Sequence, residues 1–236
     1  MNRKDKGRIT VGLCLLTWNE IEGCKHDVPL IDRDQFDQIY CIDGGSTDGT
    51  CDYLSRQGIE VYKQSHKGYN AACKDAAFRC RCDAFIIFHP KGTVSVKNIY
   101  KFRSYFEQGY ELVVASRMGK NAHNEEDDRM FRPRKWFVLW LALAAKILYQ
   151  TEGNTVWDVL HGFRGMTRLA FRKMSVSNFP MSFDIETCCR AYKLKIKRIE
   201  FPVWEKKRIA GKTHFKAMSC GWNFIKYLLW ELSRKD

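Results

Sequence analysis

Short apolar runs punctuate the first half of the chain at residues 9–16, 39–42, 59–62, 84–88 and 111–115, each bounded by polar or turn-forming residues. Their length and their content of β-branched and aromatic side chains predict buried strands. Between them, residues 48–56, 69–82 and 96–108 carry apolar positions at helical spacing and predict helices. Strand and helix in alternation imply an α/β class: a Rossmann-type, mostly parallel sheet flanked by helices, folded as one domain over residues 1–236. The first two runs stop abruptly, one in Thr17-Trp18-Asn19-Glu20 and the other in Asp43-Gly44-Gly45-Ser46-Thr47-Asp48-Gly49-Thr50. If these strands are parallel neighbours, both polar ends meet at the carboxyl edge of the sheet, where open α/β folds bind ligands. That edge is a place for a nucleotide.

Periodicity vanishes over residues 117–132, and the acidic stretch 121–128 suits a mobile loop, a lid, at the working edge of the sheet. Residues 133–150 then predict a helix with Trp136, Leu139, Trp140, Leu143 and Ile147 on one stripe. A short strand near 163–166, a helix at 182–192, a strand at 196–203, a basic loop and a terminal helix from about 214 to 233 complete the pattern. Two readings of the stripe stand side by side: a helix packed on the core, or one lying in a membrane interface, where tryptophan flanked by Arg134 and Lys135 is favoured. Phe224, Tyr227, Leu228 and Trp230 pose the same choice for the last helix.

Composition narrows the class. Apolar residues make up 45% of the 236 and aromatics 14%, enough for a packed core and too much for a disordered chain. The ten cysteines follow neither a zinc-ligand nor a disulfide spacing, so they read as reduced, mostly buried thiols. Residues 1–8 are charged and lack the form of a signal peptide, and the apolar stretch at 136–145 is shorter than the roughly 20 residues a membrane span needs. A cytoplasmic location is expected. The net charge of +13 calls for an acidic partner, whether nucleic acid, anionic membrane or phosphorylated small molecule. The basic clusters at 132–135, 193–198 and 206–216 form no recognisable nucleic-acid module, which leaves the other two.

Five segments in register resemble a known family: Thr17-Trp18-Asn19-Glu20, Asp43 to Asp48, Ala115-Ser116-Arg117, Asp158 with Gly162-Phe163-Arg164, and Arg208 with Gly211-Lys212-Thr213. They look like the motifs of family 2 inverting glycosyltransferases, closest in order and spacing to the dolichol-phosphate mannose synthase-like branch, which uses the GT-A fold. The resemblance implies a GDP- or UDP-sugar donor bound by residues 1–116 and an acceptor bound by 117–236. It implies Thr17, Trp18 and Glu20 near base and ribose, Asp43 at the base edge, and Arg208 and Lys212 over the diphosphate. The acceptor would be a polyprenyl (dolichyl or undecaprenyl) phosphate held by Arg117, Arg132 and Arg164, at a cytosolic membrane face. Asp184 is the candidate general base, with Glu186 and Asp158 as further carboxylates. Mg2+ or Mn2+ is the cofactor the family implies. Physical chemistry agrees in part, because a carboxylate can accept from a base edge and guanidinium binds phosphate oxygens in pairs. The alternatives are local: Asn19 and Asp48 suit helix caps, and Asp184 and Glu186 suit a helix N-terminus.

One departure bears on mechanism. Family members end the fourth strand with two aspartates separated by one residue, which hold the metal; here the residues are His89-Pro90-Lys91-Gly92-Thr93. Lysine and a lone imidazole do not replace a carboxylate pair for a hard cation. Three readings follow. Lys91 takes over the metal's charge, where one ion pair at about 4 Å is worth roughly 4 kcal/mol before desolvation. Alternatively the site has decayed into a nucleotide-sugar-binding pseudoenzyme, or Pro90-Lys91-Gly92 is a plain turn. His89 is either a donor to phosphate or a strand-end histidine satisfied by backbone.

Overall fold

The computed structural model describes residues 8–210 and 217–234. Lys212, and with it the Gly211-Lys212-Thr213 segment, lies outside the described residues. Strand β1 (Val11–Thr17) leads into helix α1 (Ile21–Asp27), then β2 (Gln38–Asp43), α2 (Thr50–Arg56), β3 (Glu60–Lys63), α3 (Tyr69–Arg79) and β4 (Ala84–Phe88). A 3₁₀ turn at Val96–Tyr100 precedes α4 (Lys101–Glu107), followed by β5 (Leu112–Ser116), α5 (Pro133–Tyr149), β6 (Arg164–Thr167), α6 (Arg168–Met174), α7 (Phe183–Lys193), β7 (Arg198–Pro202) and α8 (Ala217–Ser233).

The seven strands form one sheet in the order β3-β2-β1-β4-β6-β5-β7. Neighbouring strands run parallel except at β6, which is antiparallel to both β4 and β5. Two apolar clusters cover the two faces, one containing α3, α5 and α7 and the other the 3₁₀ turn and α4. Strand β4, fully apolar, and β5, apolar up to its last residue Ser116, are buried along their whole length because they lie between these layers. In β1 and β2 the register pairs Thr17 with Asp43, so the two polar strand ends do sit side by side.

Several elements differ from the pattern. The 69–82 periodicity yields a helix only to Arg79, because Cys80 is already extended (ψ 126°) and leads into β4. Helices α1 and α6, seven residues each, carry too little periodicity to stand out. The expected mobile loop is tethered. Glu126 and Asn124 are buried, Glu126 accepts from the Lys135 backbone at 3.0 Å at the start of α5, and Asp127 pairs with Arg132 and Lys135. On its other side His123 stacks on Trp204 at 4.1 Å and donates its backbone N–H to Val203. The acidic residues fold the loop against their basic neighbours.

Helix α5 corrects the core-facing reading of its stripe. Its inward residues are Val138, Leu141, Ala142, Ala145 and Tyr149, whereas Trp136 and Trp140 are each 50% exposed and Ile147 73%. Of the stripe only Leu139 packs on the core. On α8, which lies against α5 where Gly221 meets Phe137, Tyr227 and Leu228 are buried while Trp222 and Leu229 face outward. Among the described residues no helix is long and apolar enough to cross a membrane. The ten cysteines are unbridged and eight are buried.

Candidate active site

The carboxyl ends of β1 and β2 are laced together by hydrogen bonds. Asp43 accepts from the Gly45 and Ser46 backbone N–H groups at 2.8 and 2.7 Å through Oδ1, and from the Ser46 and Thr17 hydroxyls at 2.6 and 2.8 Å through Oδ2. Burial raises its pKa, and these four donors outweigh that effect, so the carboxyl stays below its ordinary value. In this structure Asp43 shapes its own turn. Asn19, in a left-handed conformation (φ 53°), accepts from Thr47 N–H at 2.8 Å, and its own N–H donates to Ser46 Oγ at 2.7 Å. Asp48 accepts from Ile21 and Thr50 N–H, both at 3.0 Å, bridging the starts of α1 and α2. Trp18 stays half exposed with its Cβ against Gly44.

The turn after β4 is held by close backbone approach. A Cβ on Gly23 of α1 would lie 2.1 Å from the Pro90 carbonyl oxygen and 2.9 Å from Lys91 Cα, so only glycine admits this contact. Gly92 N–H donates to buried Asp27 at 2.8 Å. The segment after β7 closes over the turn: Lys206 N–H donates to Thr93 O at 2.7 Å, and Ile209 N–H to Lys91 O at 3.3 Å. On that segment, Arg208 Nη2 reaches both carboxylate oxygens of Glu20 at 2.6 Å. The Lys91 ammonium is partly buried and has no hydrogen-bond or ion-pair partner among the described residues. Burial lowers its pKa and Arg208 and Arg117 add to this, against Glu20 and Glu205.

These elements enclose a cavity of about 460 Å³ lined by Lys91, His89, Arg117, Arg134, His161, Asp184, Glu205 and Arg208, with Tyr69, Gly162 and Phe163 among the others. Arg117 lies at the end of β5 and binds Asp158 through Nε at 2.8 Å and Nη2 at 3.0 Å, and Glu205 through Nη1 at 3.3 Å. Asp158 is fully buried; burial alone would raise its pKa, but Arg117 holds it at about 2. Arg164 is fully buried, donating to the Asp184 and His161 carbonyls and to Thr187 Oγ1, with Nε 3.1 Å from Asp184 Oδ1. Burial pushes Asp184 up to about 6, against Arg164 and a hydrogen bond from the Tyr69 hydroxyl at 3.1 Å.

The structure thus brings Lys91, His89, Arg117, Asp184 and Arg208 to one cavity and keeps Thr17, Trp18, Glu20 and Asp43 at the adjoining strand ends. Arg164 holds Asp184 from behind the cavity wall. Arg132 is turned to Asp127 and does not line the cavity; Arg134, two residues on, does. Glu186 is buried under Ser177, Ser182 and Arg234, away from the cavity. Tyr69, His161 and Glu205 were not singled out from sequence, and Arg134 only as a basic flank of the tryptophan stripe. Only His161, beside the Gly162-Phe163-Arg164 motif, carried a positional signal.

A divalent cation finds a poor donor set here. Each cavity carboxylate already faces a guanidinium: Glu205 faces Arg117, Asp184 faces Arg164 and Glu125 faces Arg134; the neighbouring Asp158 and Glu20 face Arg117 and Arg208. Among the described residues no three His, Cys, Asp or Glu side chains converge to hold a metal. The described residues do not fit the cofactor the resemblance implies.

Residues 19–175 match the model of glycosyl transferase family 2. The chain belongs to this family. Glycosyltransferase AglJ of Haloferax volcanii is 24% identical over 199 residues, covering 80% of the chain; the chain spans 61% of that relative's length. Among solved structures, glucosyl-3-phosphoglycerate synthase from Mycobacterium tuberculosis in complex with Mn2+, UDP-glucose and phosphoglyceric acid superposes with a TM-score of 0.70 at 17% identity, covering 97% of this chain and 81% of that one. The same enzyme with Mg2+ and UDP gives 0.70 at 15% identity, with the same coverage. These likenesses show that this family 2 chain has the GT-A-like fold.

Proposed function

We propose that this family 2 chain transfers a hexose from a GDP- or UDP-sugar to a polyprenyl phosphate, with inversion at the anomeric carbon. The observation that carries this reading is a juxtaposition. The cavity is rimmed by Arg117, Arg208, Lys91 and Arg134, and Arg134 sits in the first turn of α5, whose outward face is Trp136, Trp140, Leu143 and Ile147. A phosphate on an apolar tail needs such a pairing of cations with a lipid-facing surface at one site. The net charge of +13 favours an anionic membrane face, where the protein would lie peripherally at the cytosolic side.

In this reading residues 1–116 hold the donor, with Thr17, Trp18, Glu20 and Asp43 at the nucleoside end, and residues 117–236 hold the acceptor. His89 and Lys91 stand where the family's metal-binding aspartates are expected, and the Lys91 ammonium, with Arg208 and Lys212, replaces the cation beside the diphosphate. An acceptor phosphate oxygen, positioned by Arg117 with Arg134 in support, attacks the anomeric carbon from the face opposite the leaving group. The bond to the donor diphosphate breaks, and the nucleoside diphosphate departs with the electron pair. An anionic nucleophile needs no proton removed; for a hydroxyl acceptor Asp184 would take the proton, as its raised pKa near 6 suits a base.

The test is transfer of labelled sugar from UDP-glucose and GDP-mannose to a short-chain polyprenyl phosphate, with and without EDTA, beside calorimetric titration of each nucleotide. Turnover in EDTA supports the reading. Nucleotide-sugar binding without transfer to any phosphate or hydroxyl acceptor would favour the pseudoenzyme, which the pairing of every cavity carboxylate with an arginine keeps in view.

A further inference from the structure

The cavity lined by cations also contains two imidazoles that cannot serve a phosphate in the same way. His161 packs at the end of β5, with its side chain 12% exposed and lining the cavity. Its Nδ1 is bonded to the Ala115 carbonyl oxygen. A carbonyl only accepts, so Nδ1 is the protonated nitrogen and Nε2 carries a bare lone pair. Burial, with Arg117 adding to it, pushes the ring's pKa down to about 3, so it stays neutral at physiological pH. Among the described residues nothing bonds Nε2. His89 lies beside it across Gly162, stacked 6.1 Å from the Tyr69 ring, and has no hydrogen-bond partner among the described residues. Burial, with Lys91 and His161 adding to it, depresses its pKa as well.

Gly162, next to His161 in the chain, keeps the space against the Tyr69 and His89 side chains open. A Cβ there would lie 2.5 Å from the Tyr69 hydroxyl and 2.8 Å from His89 Cε1. The result is a neutral recess in a charged cavity, presenting one nitrogen that only accepts and one ring that both donates and accepts. A bare nitrogen lone pair repels phosphate oxygen and accepts from O–H. Sugar hydroxyls, each donor and acceptor at once, match both rings.

We infer that His161, with His89 beside it, forms the subsite that binds a hydroxyl of the transferred hexose, so that His161 Nε2 selects a sugar with a hydroxyl at the facing carbon. The inference rests on the nucleotide-sugar reading above and goes further by assigning the place of the sugar. The hexose then lies in the cavity that Lys91, for the diphosphate, and Asp184 also line.

The test compares binding of a nucleoside diphosphate with its hexose conjugate, UDP against UDP-glucose and GDP against GDP-mannose, by calorimetry. His161→Asn keeps an amide N–H where Nδ1 bonds Ala115 but withdraws the acceptor; His161→Gln returns a polar atom near the Nε2 position. The wild type should bind one conjugate more tightly than its diphosphate. His161→Asn should lose about five- to tenfold in conjugate affinity, the worth of one net hydrogen bond, with diphosphate affinity unchanged, and His161→Gln should recover part of it. An unchanged conjugate-to-diphosphate ratio in His161→Asn overturns the sugar subsite, and if the variant instead raises KM for an added acceptor alcohol, the hydroxyl belongs to the acceptor. No binding of any conjugate by the wild type overturns the donor reading itself, and the subsite with it.

Discussion

Arg117 and Asp158 meet in a paired contact, with Nε to Oδ2 at 2.8 Å and Nη2 to Oδ1 at 3.0 Å, and the Arg117 backbone N–H adds a third bond to Oδ2 at 2.8 Å. Asp158 is fully buried and the Arg117 side chain nearly so. Removing one charge from such a pair strands the other. Asp158→Asn is expected to destabilise the fold by about 3–5 kcal/mol, read from urea unfolding at neutral pH. A loss under about 1 kcal/mol would show that Glu205 alone satisfies Arg117. The pH dependence has a definite sign. The folded pKa of Asp158 is depressed to about 2, so its contribution is present above the ordinary aspartate value and is lost as pH falls toward 2.

Lys91→Met should leave the unfolding midpoint nearly unchanged, since the ammonium has no partner to lose among the described residues, yet lower turnover by about a hundredfold or more. Unaltered turnover would sink the idea that lysine stands in for a metal. Burial lowers the Lys91 pKa, so as pH rises the ammonium is lost earlier than from a solvent-exposed lysine. Diphosphate affinity should therefore fall at a correspondingly lower alkaline pH, and Lys91→Met should remove that limb.

Turnover should survive EDTA. Activity that disappears with the chelator and returns with Mn2+ would mean that a set of ligands reorganises around a cation when donor binds.

Gly23→Ala places a Cβ 2.1 Å from the Pro90 carbonyl oxygen, a contact that requires the backbone of the 90–92 turn to move. The expected cost is about 1–3 kcal/mol of stability, accompanied by weaker diphosphate binding because Lys91 rides on the same turn. Stability lost with diphosphate affinity intact would separate the turn from the site.

Replacing both Trp136 and Trp140 with serine removes half-exposed rings that pack little against the core. Sedimentation with vesicles containing anionic lipid should fall by about tenfold or more, while nucleotide-sugar affinity in solution stays the same. Equal vesicle binding by the double variant would rule out α5 as the lipid-facing surface.

Much of the fold was legible because local and global preferences agree. The strand at 84–88 is bounded in the structure as its apolar run predicts. Asn19 and Asp48, which suit helix caps, instead bridge the turns after β1 and β2, while the N-cap positions of α1 and α2 fall to Glu20 and Gly49. Where the reading went astray, packing decided. Acidic residues 121–128 looked mobile, yet Glu126 and Asp127 find basic partners on α5 that only the folded chain brings near. The α5 stripe was open to a core-packed or a membrane-interface reading, and the core takes another face of the helix, with Val138, Leu141, Ala142 and Ala145.

From the sequence alone follow the α/β class, two strands that end in polar, turn-forming residues, the absence of a carboxylate pair after the fourth strand, and the basic balance of the chain. These are properties of order, period and residue type. Tertiary structure alone decided that Arg208 closes on Glu20, that Arg117 is spent on Asp158, that Arg134 rather than Arg132 reaches the cavity, and that His161 presents a bare nitrogen to it. Each depends on the distance between residues far apart in the chain, and sequence spacing does not encode that distance.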